Sequence, residues 1–466
     1  MLNSKTRYRN VPPRFPPPSL NNRTLTAGLF AALWAVPAQA VTYVEQGRLH
    51  DAASWHNDEF KREWGLAAIG ADHAYARGLS GLDVRLGIFD SGTDLRHPQF
   101  AGKNHKPVTL ADAGCARETF ATDDHDGCYR ADGDQTQFDY TLELPQDTLQ
   151  EALASGEYTA QELDDYLSRQ GARYNPHGTH VAGTMLANRD GKGIHGVAWG
   201  ADLSPVRIFS HSYDSYLSDK GELQVDPGLE AYAAVFKQMR EQNVRAINHS
   251  WGSPKVFQTL DELDAELERQ RFGLGNTLAQ GSRDAGILQV WASNNTRTNN
   301  LSPETAPYAD ILTALPRVMP EIEKYWLSVV NVNDTLTLAP GSFRCGYSMN
   351  WCVAAPGTGI ISTFIAGEVD VETLYQDDGE INGVQVTSDR PRFGYGIDTG
   401  TSMATPHVTG SLALLMERFP YLDNPQIRDV LLTTARDLGA PGVDDVYGWG
   451  LIDLKKAIDG AGAATA

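Results

Sequence analysis

Apolar and polar positions along this chain follow two alternating periods. Helical spacing of apolar residues occurs in HVAGTMLA, GLEAYAAVFKQMREQ, LDELDAELERQ and MATPHVTGSLALLMERF. Short apolar segments of strand length separate these helices, at VRLGIF, ADLSPVRIF, VRAINHS, ILQVWAS and WLSVVNV. Such alternation predicts an α/β fold in which helices cover both faces of a mostly parallel central sheet.

Polar residues at the segment ends predict where three of the helices begin. Asp226 is the expected N-cap of GLEAYAAVFKQMREQ, with Pro227 at the first helical position. Ser402 is the expected N-cap of the helix after GTS, because its oxygen can accept an otherwise unpaired amide hydrogen and Pro406 is tolerated in a first turn. The pair Thr159 and Glu162 forms a capping-box pattern and predicts a further helix.

The segment from about residue 101 to 175 interrupts the alternation. It carries the acidic stretch ATDDHDGC and the capping-box helix, and we interpret it as an insertion. The acidic stretch is typical of solvated surface, although calcium binding is an alternative.

The first 40 residues predict a signal peptide with a long basic n-region. They contain five basic residues and no acidic one, followed by LTAGLFAALWAVP and AQA. A membrane anchor is the alternative, but the apolar segment is shorter than the roughly 20 residues that span a bilayer. We therefore expect an exported protein, either secreted, periplasmic or at the cell surface, with an N-terminal segment at 41–64 and the main domain at 65–466.

The net charge of the chain excludes some classes of binding partner. Removing the five basic residues of 1–40 changes the formal net charge from −20 to −25, which disfavours nucleic acid and anionic membranes as partners. We expect a monomer without stable membrane insertion.

The four cysteines form two pairs that are close in sequence. In an exported chain they predict two local disulfides, Cys115 with Cys128 and Cys345 with Cys352. A metal site is the alternative, but it would need a Cys-x-x-Cys pattern, and the sequence has none.

Three segments carry candidate chemistry: FDSGTDLRHP with Asp90, NPHGTHVAGT with His177, and GTSMATPHV with Ser402. Each has a structural alternative, namely a turn, a helix-start histidine and a helix cap. His177 and His180 lack the spacing and the intervening Glu of a helical metalloprotease signature. Taken together, the three supply the hydroxyl, imidazole and carboxylate that amide hydrolysis by serine requires.

These motifs resemble those of the subtilisin-like serine proteases, from about Trp64 to Leu454. The resemblance implies a three-layer subtilisin-like fold and a serine endopeptidase that acts on polypeptide substrates. It is strongest to the subtilase passenger domains of bacterial autotransporters, and it lies in FKREWGLAAIGADHAYARG, PEIEKYWLSVVNV, CGYSMNWCVAAPGTGI and YGWGLIDLKKAI. A maturation protease of narrow specificity and a surface binding passenger with vestigial activity are the alternatives.

The resemblance also implies roles for individual residues. Asp90 orients His177, His177 is general base and then acid, and Ser402 is the nucleophile. In VWASNN, Asn294 stands where the family usually has Gly, at a position that favours a left-handed backbone, and Asn295 is the expected oxyanion donor. We further expect Asn294→Gly to be nearly silent.

Substrate and metal binding follow from the same resemblance. In NHSWGS, we expect Ser250, Trp251 and Gly252 to pair with an extended peptide, although Trp251 has the alternative of a core aromatic. No cofactor is expected to be required. Calcium, common in the family, is weakly supported, because Gln99 replaces a usual acidic ligand and ANRDGKG offers only Asp190 as a carboxylate.

Overall fold

The computed structural model describes residues 47–121, 126–140, 153, 154, 159, 172–213, 225–253, 255–257, 259–296, 303–375 and 381–460. The predicted signal peptide at 1–40, Glu162 of the predicted capping box and residues 122–125 of the acidic stretch lie outside this range.

A six-stranded parallel sheet forms the centre of the fold. Its order is β11-β10-β9-β8-β1-β6, and every neighbouring pair is parallel. The strands are β1 (Arg85–Asp90), β6 (Asp202–Arg207), β8 (Val244–His249), β9 (Leu288–Ala292), β10 (Trp326–Val332) and β11 (Cys352–Pro356). Five of the six correspond to the apolar segments of the sequence, so the predicted α/β class is confirmed.

Both faces of the sheet are buried. Successive side chains of a strand point to opposite faces, so Leu86 and Ile88 of β1 join one apolar core and Phe89 joins the other. Val408 and Leu412, in the helix after Ser402, pack into the first core. The arrangement explains why these strands are buried at almost every residue and do not alternate between buried and exposed positions.

The helices have the following bounds. They are α1 (Asp58–Arg62), α2 (Trp64–Ala68), α3 (Ala71–Tyr75), α4 (His177–Leu186), α5 (Leu229–Glu241), α6 (Leu260–Gln270), α7 (Leu274–Ala285), α8 (Thr401–Arg418), α9 (Asn424–Thr433) and α10 (Leu454–Ala457). Short 3-10 helices lie at Ala52–Trp55, Pro98–Phe100, Leu315–Arg317, Pro320–Tyr325 and Gly346–Trp351. Among the described residues, no helix has the length and apolar character needed to cross a membrane.

Two predicted helix caps are wrong. Helix α5 begins at Leu229 after Gly228, whose amide donates to Asp112 Oδ1 at 2.8 Å, so neither Asp226 nor Pro227 starts it. Helix α8 begins at Thr401, and its N-cap Gly400 has an extended backbone that continues from the preceding strand. The helix therefore starts one residue before Ser402, so Ser402 is its second residue and Pro406 is its sixth.

A second sheet lies outside the central one and has the order β13-β12-β5-β4-β7. Its strands are β4 (Phe138–Tyr140), β5 (Ala172–Tyr174), β7 (Ser212–Tyr213), β12 (Ile360–Tyr375) and β13 (Ile381–Asp398). Strands β12 and β13 pair antiparallel along their length. The sequence pattern predicted no element there, although β13 leads directly into α8.

The described part of the 101–175 segment contributes no strand to the central sheet. It contains β4, β5 and a separate antiparallel pair, β2 (Thr109–Ala111) and β3 (Arg130–Asp132). Disulfides join Cys115 to Cys128 near this pair and Cys345 to Cys352 at the start of β11.

Candidate active site

Asp90 and His177 form a direct hydrogen bond. Asp90 is the last residue of β1 and is buried, and its Oδ1 lies 2.7 Å from Nδ1 of His177, the first residue of α4. The amide of Ser91 donates to the same Oδ1 at 2.7 Å. The carboxylate therefore fixes the imidazole with Nδ1 protonated and Nε2 free to accept a proton.

Gly178 permits this close approach. A Cβ at Gly178 would lie 2.3 Å from the carbonyl oxygen of Gly92 and 3.1 Å from Asp90 Oδ1, too close for any larger residue. The amide of Gly178 also donates to Ser91 Oγ at 2.9 Å. The glycine in the HGTH sequence is thus required by the packing of α4 on the end of β1.

The environment of His177 affects its pKa in two opposing ways. Burial by itself would lower the pKa of His177, but the charge of Asp90 and its hydrogen bond raise it, with a further contribution from the charge of Asp398. The net result is a pKa above the ordinary value of an imidazole.

Ser402 reaches the same edge of the sheet through Ser250. Phe89 pairs with His249 in the neighbouring parallel strand, so Asp90 and Ser250 both follow that pair at the carboxyl edge. The hydroxyl of Ser402 donates to the carbonyl of Ser250 at 3.0 Å. Within the described residues, that hydroxyl makes no hydrogen bond to His177.

Asn295 lies beside the start of α8. Its Oδ1 accepts the amide of Thr401 at 2.9 Å, which leaves the Nδ2 donor group free of that contact. Asn294 precedes it with φ +85°, in the left-handed region that the alignment of VWASNN anticipated. The side chain of Asn294, however, donates to both Ser253 O and Asp310 Oδ2, which the sequence did not indicate.

Ser250, Trp251 and Gly252 follow strand β8 at its carboxyl end. The half-buried ring of Trp251 makes edge contacts with Trp291 at 5.2 Å and with Phe209 at 6.4 Å between ring centroids. The tryptophan thus borders the core without being enclosed by it.

Asp310 is a buried residue of this region that sequence reasoning missed. Burial raises the pKa of its carboxyl to about 6, against the opposing effect of the N–H groups that it accepts. Its surroundings in SPETAPYADIL carry no motif. The sequence feature that points to the contact between Asn294 and Asp310 is the doubled asparagine of VWASNN.

A comparison with known protein families identifies the family of this chain. Residues 81–450 match the model of the subtilase family, which covers most of the chain. The chain belongs to the subtilase family. The family predicted from the three motifs is therefore confirmed.

Relatives of this subtilase include an extracellular protease and an autotransporter lipoprotein. It is 30% identical over 460 residues to an extracellular serine protease of Serratia marcescens, and the aligned region covers 91% of this chain and 36% of that protein. It is 26% identical over 310 residues to the neisserial autotransporter lipoprotein NalP of Neisseria meningitidis serogroup B, covering 60% of this chain and 25% of that protein. The chain thus spans between about a quarter and somewhat more than a third of the length of these relatives.

The fold is similar to that of a protease of known structure. The MycP3 protease from the type VII (ESX-3) secretion system matches with a TM-score of 0.50 at 18% identity, over 90% of this chain and 92% of that chain. The predicted three-layer arrangement of this subtilase is confirmed by the central sheet and its two cores.

Calcium is common in subtilases, but the described residues around Gln99 do not fit a calcium site. The amide nitrogen Nε2 of Gln99 donates to Asp190 Oδ1, Lys192 O and Tyr395 Oη, each at 3.0 Å, so an N–H group faces these oxygens. Calcium takes about six to eight oxygen ligands, and here Asp190 is the one carboxylate among the partners of this amide. In the described part of the chain, no group of three or more acidic, histidine or cysteine side chains is placed to hold a metal ion.

Proposed function

We propose that this subtilase is an exported serine endopeptidase that cleaves extended polypeptides through an acyl-enzyme on Ser402. The observation that carries the proposal is the 2.7 Å hydrogen bond between Asp90 and His177 at the sheet edge where Ser402, the second residue of α8, bonds to Ser250. A protein that used the fold only as a binding surface would not need this pair beside a serine at a helix amino end.

The proposed reaction begins when the Ser402 hydroxyl turns from the Ser250 carbonyl towards Nε2 of His177. The hydroxyl proton passes to Nε2 as Oγ forms a bond to the scissile carbonyl carbon. Asp90 stabilises the imidazolium that results, because its carboxylate accepts the Nδ1 hydrogen. The imidazolium then protonates the leaving amine as the C–N bond breaks, and water hydrolyses the acyl-enzyme by the same route.

Asn295 supports the step in which negative charge develops. We assign its Nδ2, with the backbone amide of Ser402, to the carbonyl oxygen of the scissile bond. The amide of Thr401 orients the side chain by holding its Oδ1 at 2.9 Å. The segment Ser250 to Gly252, at the end of β8, is assigned to the substrate main chain as an added strand.

Export is supported by two independent features. One relative is named an extracellular protease and another an autotransporter lipoprotein. The two disulfides are stable in oxidising compartments and rare in the cytosol.

A fluorophosphonate probe tests the proposed function. We expect a covalent adduct on Ser402 and release of peptide fragments from a denatured protein substrate, both absent in Ser402→Ala. Ser402→Ala is the matched control because it removes the hydroxyl alone. Folded wild-type protein that neither labels nor cleaves would support a binding passenger, and cleavage confined to a single sequence in a peptide library would support the narrow maturation protease.

A further inference from the structure

Asp310 lies beneath the two segments that the proposed function assigns to substrate and oxyanion binding. Its carboxylate is fully buried. One oxygen accepts the amide of Ser253 at 2.8 Å and Nδ2 of Asn294 at 2.9 Å, and the other accepts the amide of Leu312 at 2.8 Å. Each of these bonds uses an N–H donor, so the ionised carboxylate, which only accepts, matches all of them.

Asn294 connects this carboxylate to Asn295. Its Nδ2 donates to Asp310 and to the carbonyl of Ser253, and its Oδ1 accepts the backbone amide of Asn295 at 2.7 Å. A glycine would adopt the φ of +85° at lower cost, so the side chain, and not the backbone conformation, is what asparagine adds here.

Gly252 shows how closely the segments meet at this point. A Cβ at Gly252 would lie 2.9 Å from Asp310 Oδ2 and 3.2 Å from Asn294 Nδ2. The segment assigned to the substrate therefore rests directly on the amide and carboxylate below it. The two groups thus hold the loop that carries Asn295 against this segment.

We propose that the side chains of Asn294 and Asp310 form a brace that positions Asn295 as oxyanion donor and ties its loop to Ser253, the residue that follows the substrate-binding segment. Both are positioning residues, because they act through Asn295 and do not reach the reacting atoms. The inference rests on the proposed function. It also revises the expectation that Asn294→Gly is nearly silent, since that change removes three side-chain hydrogen bonds.

A double-mutant cycle tests the brace. Asn294→Gly preserves the left-handed backbone and removes only the side chain, so the variant is expected to fold. We expect kcat to fall about tenfold with little change in KM, because a displaced donor is felt mainly as charge develops on the oxygen. In an Asn295→Ala background the same change should reduce kcat by less than about twofold, because the donor it positions is absent.

Two results of this cycle would contradict the brace. Equal losses of kcat in both backgrounds, or no loss in the first, would overturn the brace. Failure of the proposed function is separate, because wild-type protein would then take no fluorophosphonate at Ser402.

A second pair of variants tests the carboxylate. Asp310→Asn places an NH₂ group where the carboxylate accepts only N–H donors, and we expect the same loss of kcat as in Asn294→Gly. Thr313→Val is the matched control: it removes a buried hydroxyl that donates to the main-chain carbonyl of Asp310 at 2.8 Å and leaves the carboxylate intact. Normal kcat in Asp310→Asn, or an equal loss of kcat in Thr313→Val, would contradict the assignment.

Discussion

Ser250 and Ser402 exchange hydrogen bonds. The hydroxyl of Ser250 donates to the main-chain carbonyl of Ser402 at 2.8 Å, and the hydroxyl of Ser402 donates to the carbonyl of Ser250 at 3.0 Å. The carbonyl of Ser402 needs an external donor because Pro406, four residues later in α8, has no N–H to offer. Asn248 Nδ2 donates to Ser250 Oγ at 2.9 Å and completes the arrangement.

This exchange predicts coupling between Ser250 and Pro406. Ser250→Ala leaves the Ser402 carbonyl without its donor, and we expect the free energy of unfolding to fall by about 1–3 kcal/mol. Pro406→Ala supplies a helical N–H to the same carbonyl, so the Ser250→Ala loss should be smaller in the Pro406→Ala background. Denaturant unfolding of the four proteins measures the coupling. Additive free energies would show that the hydroxyl does not substitute for the missing amide.

The pH dependence of activity should follow His177. Only the neutral imidazole accepts the serine proton, and Asp90 raises the pKa of His177 above its ordinary value. Activity is therefore lost as pH falls through that raised pKa, and we expect the acid limb of kcat/KM to lie above about pH 6.5, with a neutral to alkaline optimum. An optimum near about pH 4, close to the ordinary pKa of a carboxyl group, would contradict histidine as the base.

Asp90→Asn tests the orienting carboxylate directly. The amide can present an N–H to Nδ1 of His177 and stabilise the wrong tautomer. We expect kcat to fall roughly ten-thousandfold, as the same change does in a well-characterised serine protease, with the fold retained. A loss of less than about tenfold, in protein with native circular dichroism, would remove Asp90 from the proposed triad.

Asn295→Ala should lower kcat by about a hundredfold to a thousandfold, or roughly 2.7–4 kcal/mol, with little change in KM. This magnitude is the one known for such a donor in subtilisin itself. Steady-state kinetics on a peptide amide measure it. If KM rises instead while kcat is retained, Asn295 contributes to ground-state binding and the oxyanion assignment is wrong.

The disulfide at the start of β11 should stabilise the fold. Cys345 and Cys352 are both buried, and their bond closes a separation of 7 residues. Under the chain-entropy model, replacing both by alanine should lower the free energy of unfolding by roughly 2–3 kcal/mol. Peptide mapping under non-reducing conditions is the complementary measurement. Recovery of Cys115 joined to Cys345 or Cys352 would contradict the local pairing.

The sequence by itself determined the central framework. Apolar segments such as VRLGIF and VRAINHS predict buried strands because a parallel sheet covered on both faces leaves no polar side to its strands, and β1 and β8 form there. The spacing of HVAGTMLA likewise predicts α4. Three motifs were sufficient to indicate the family, because each combines a reactive residue with the small residues that its packing requires, as at Gly178.

Tertiary structure alone decided the contacts between distant segments. Ser402 carries the local signature of a helix cap, but α8 begins one residue earlier, after the extended backbone of Gly400. The hydroxyl of Ser402 donates to the carbonyl of Ser250 instead. Asn294 matches a glycine position by its backbone, whereas its side chain bonds to Asp310, 16 residues away. Neither contact has a periodic signal, because a hydrogen bond between remote residues depends on how the chain is packed and not on the spacing of neighbouring side chains.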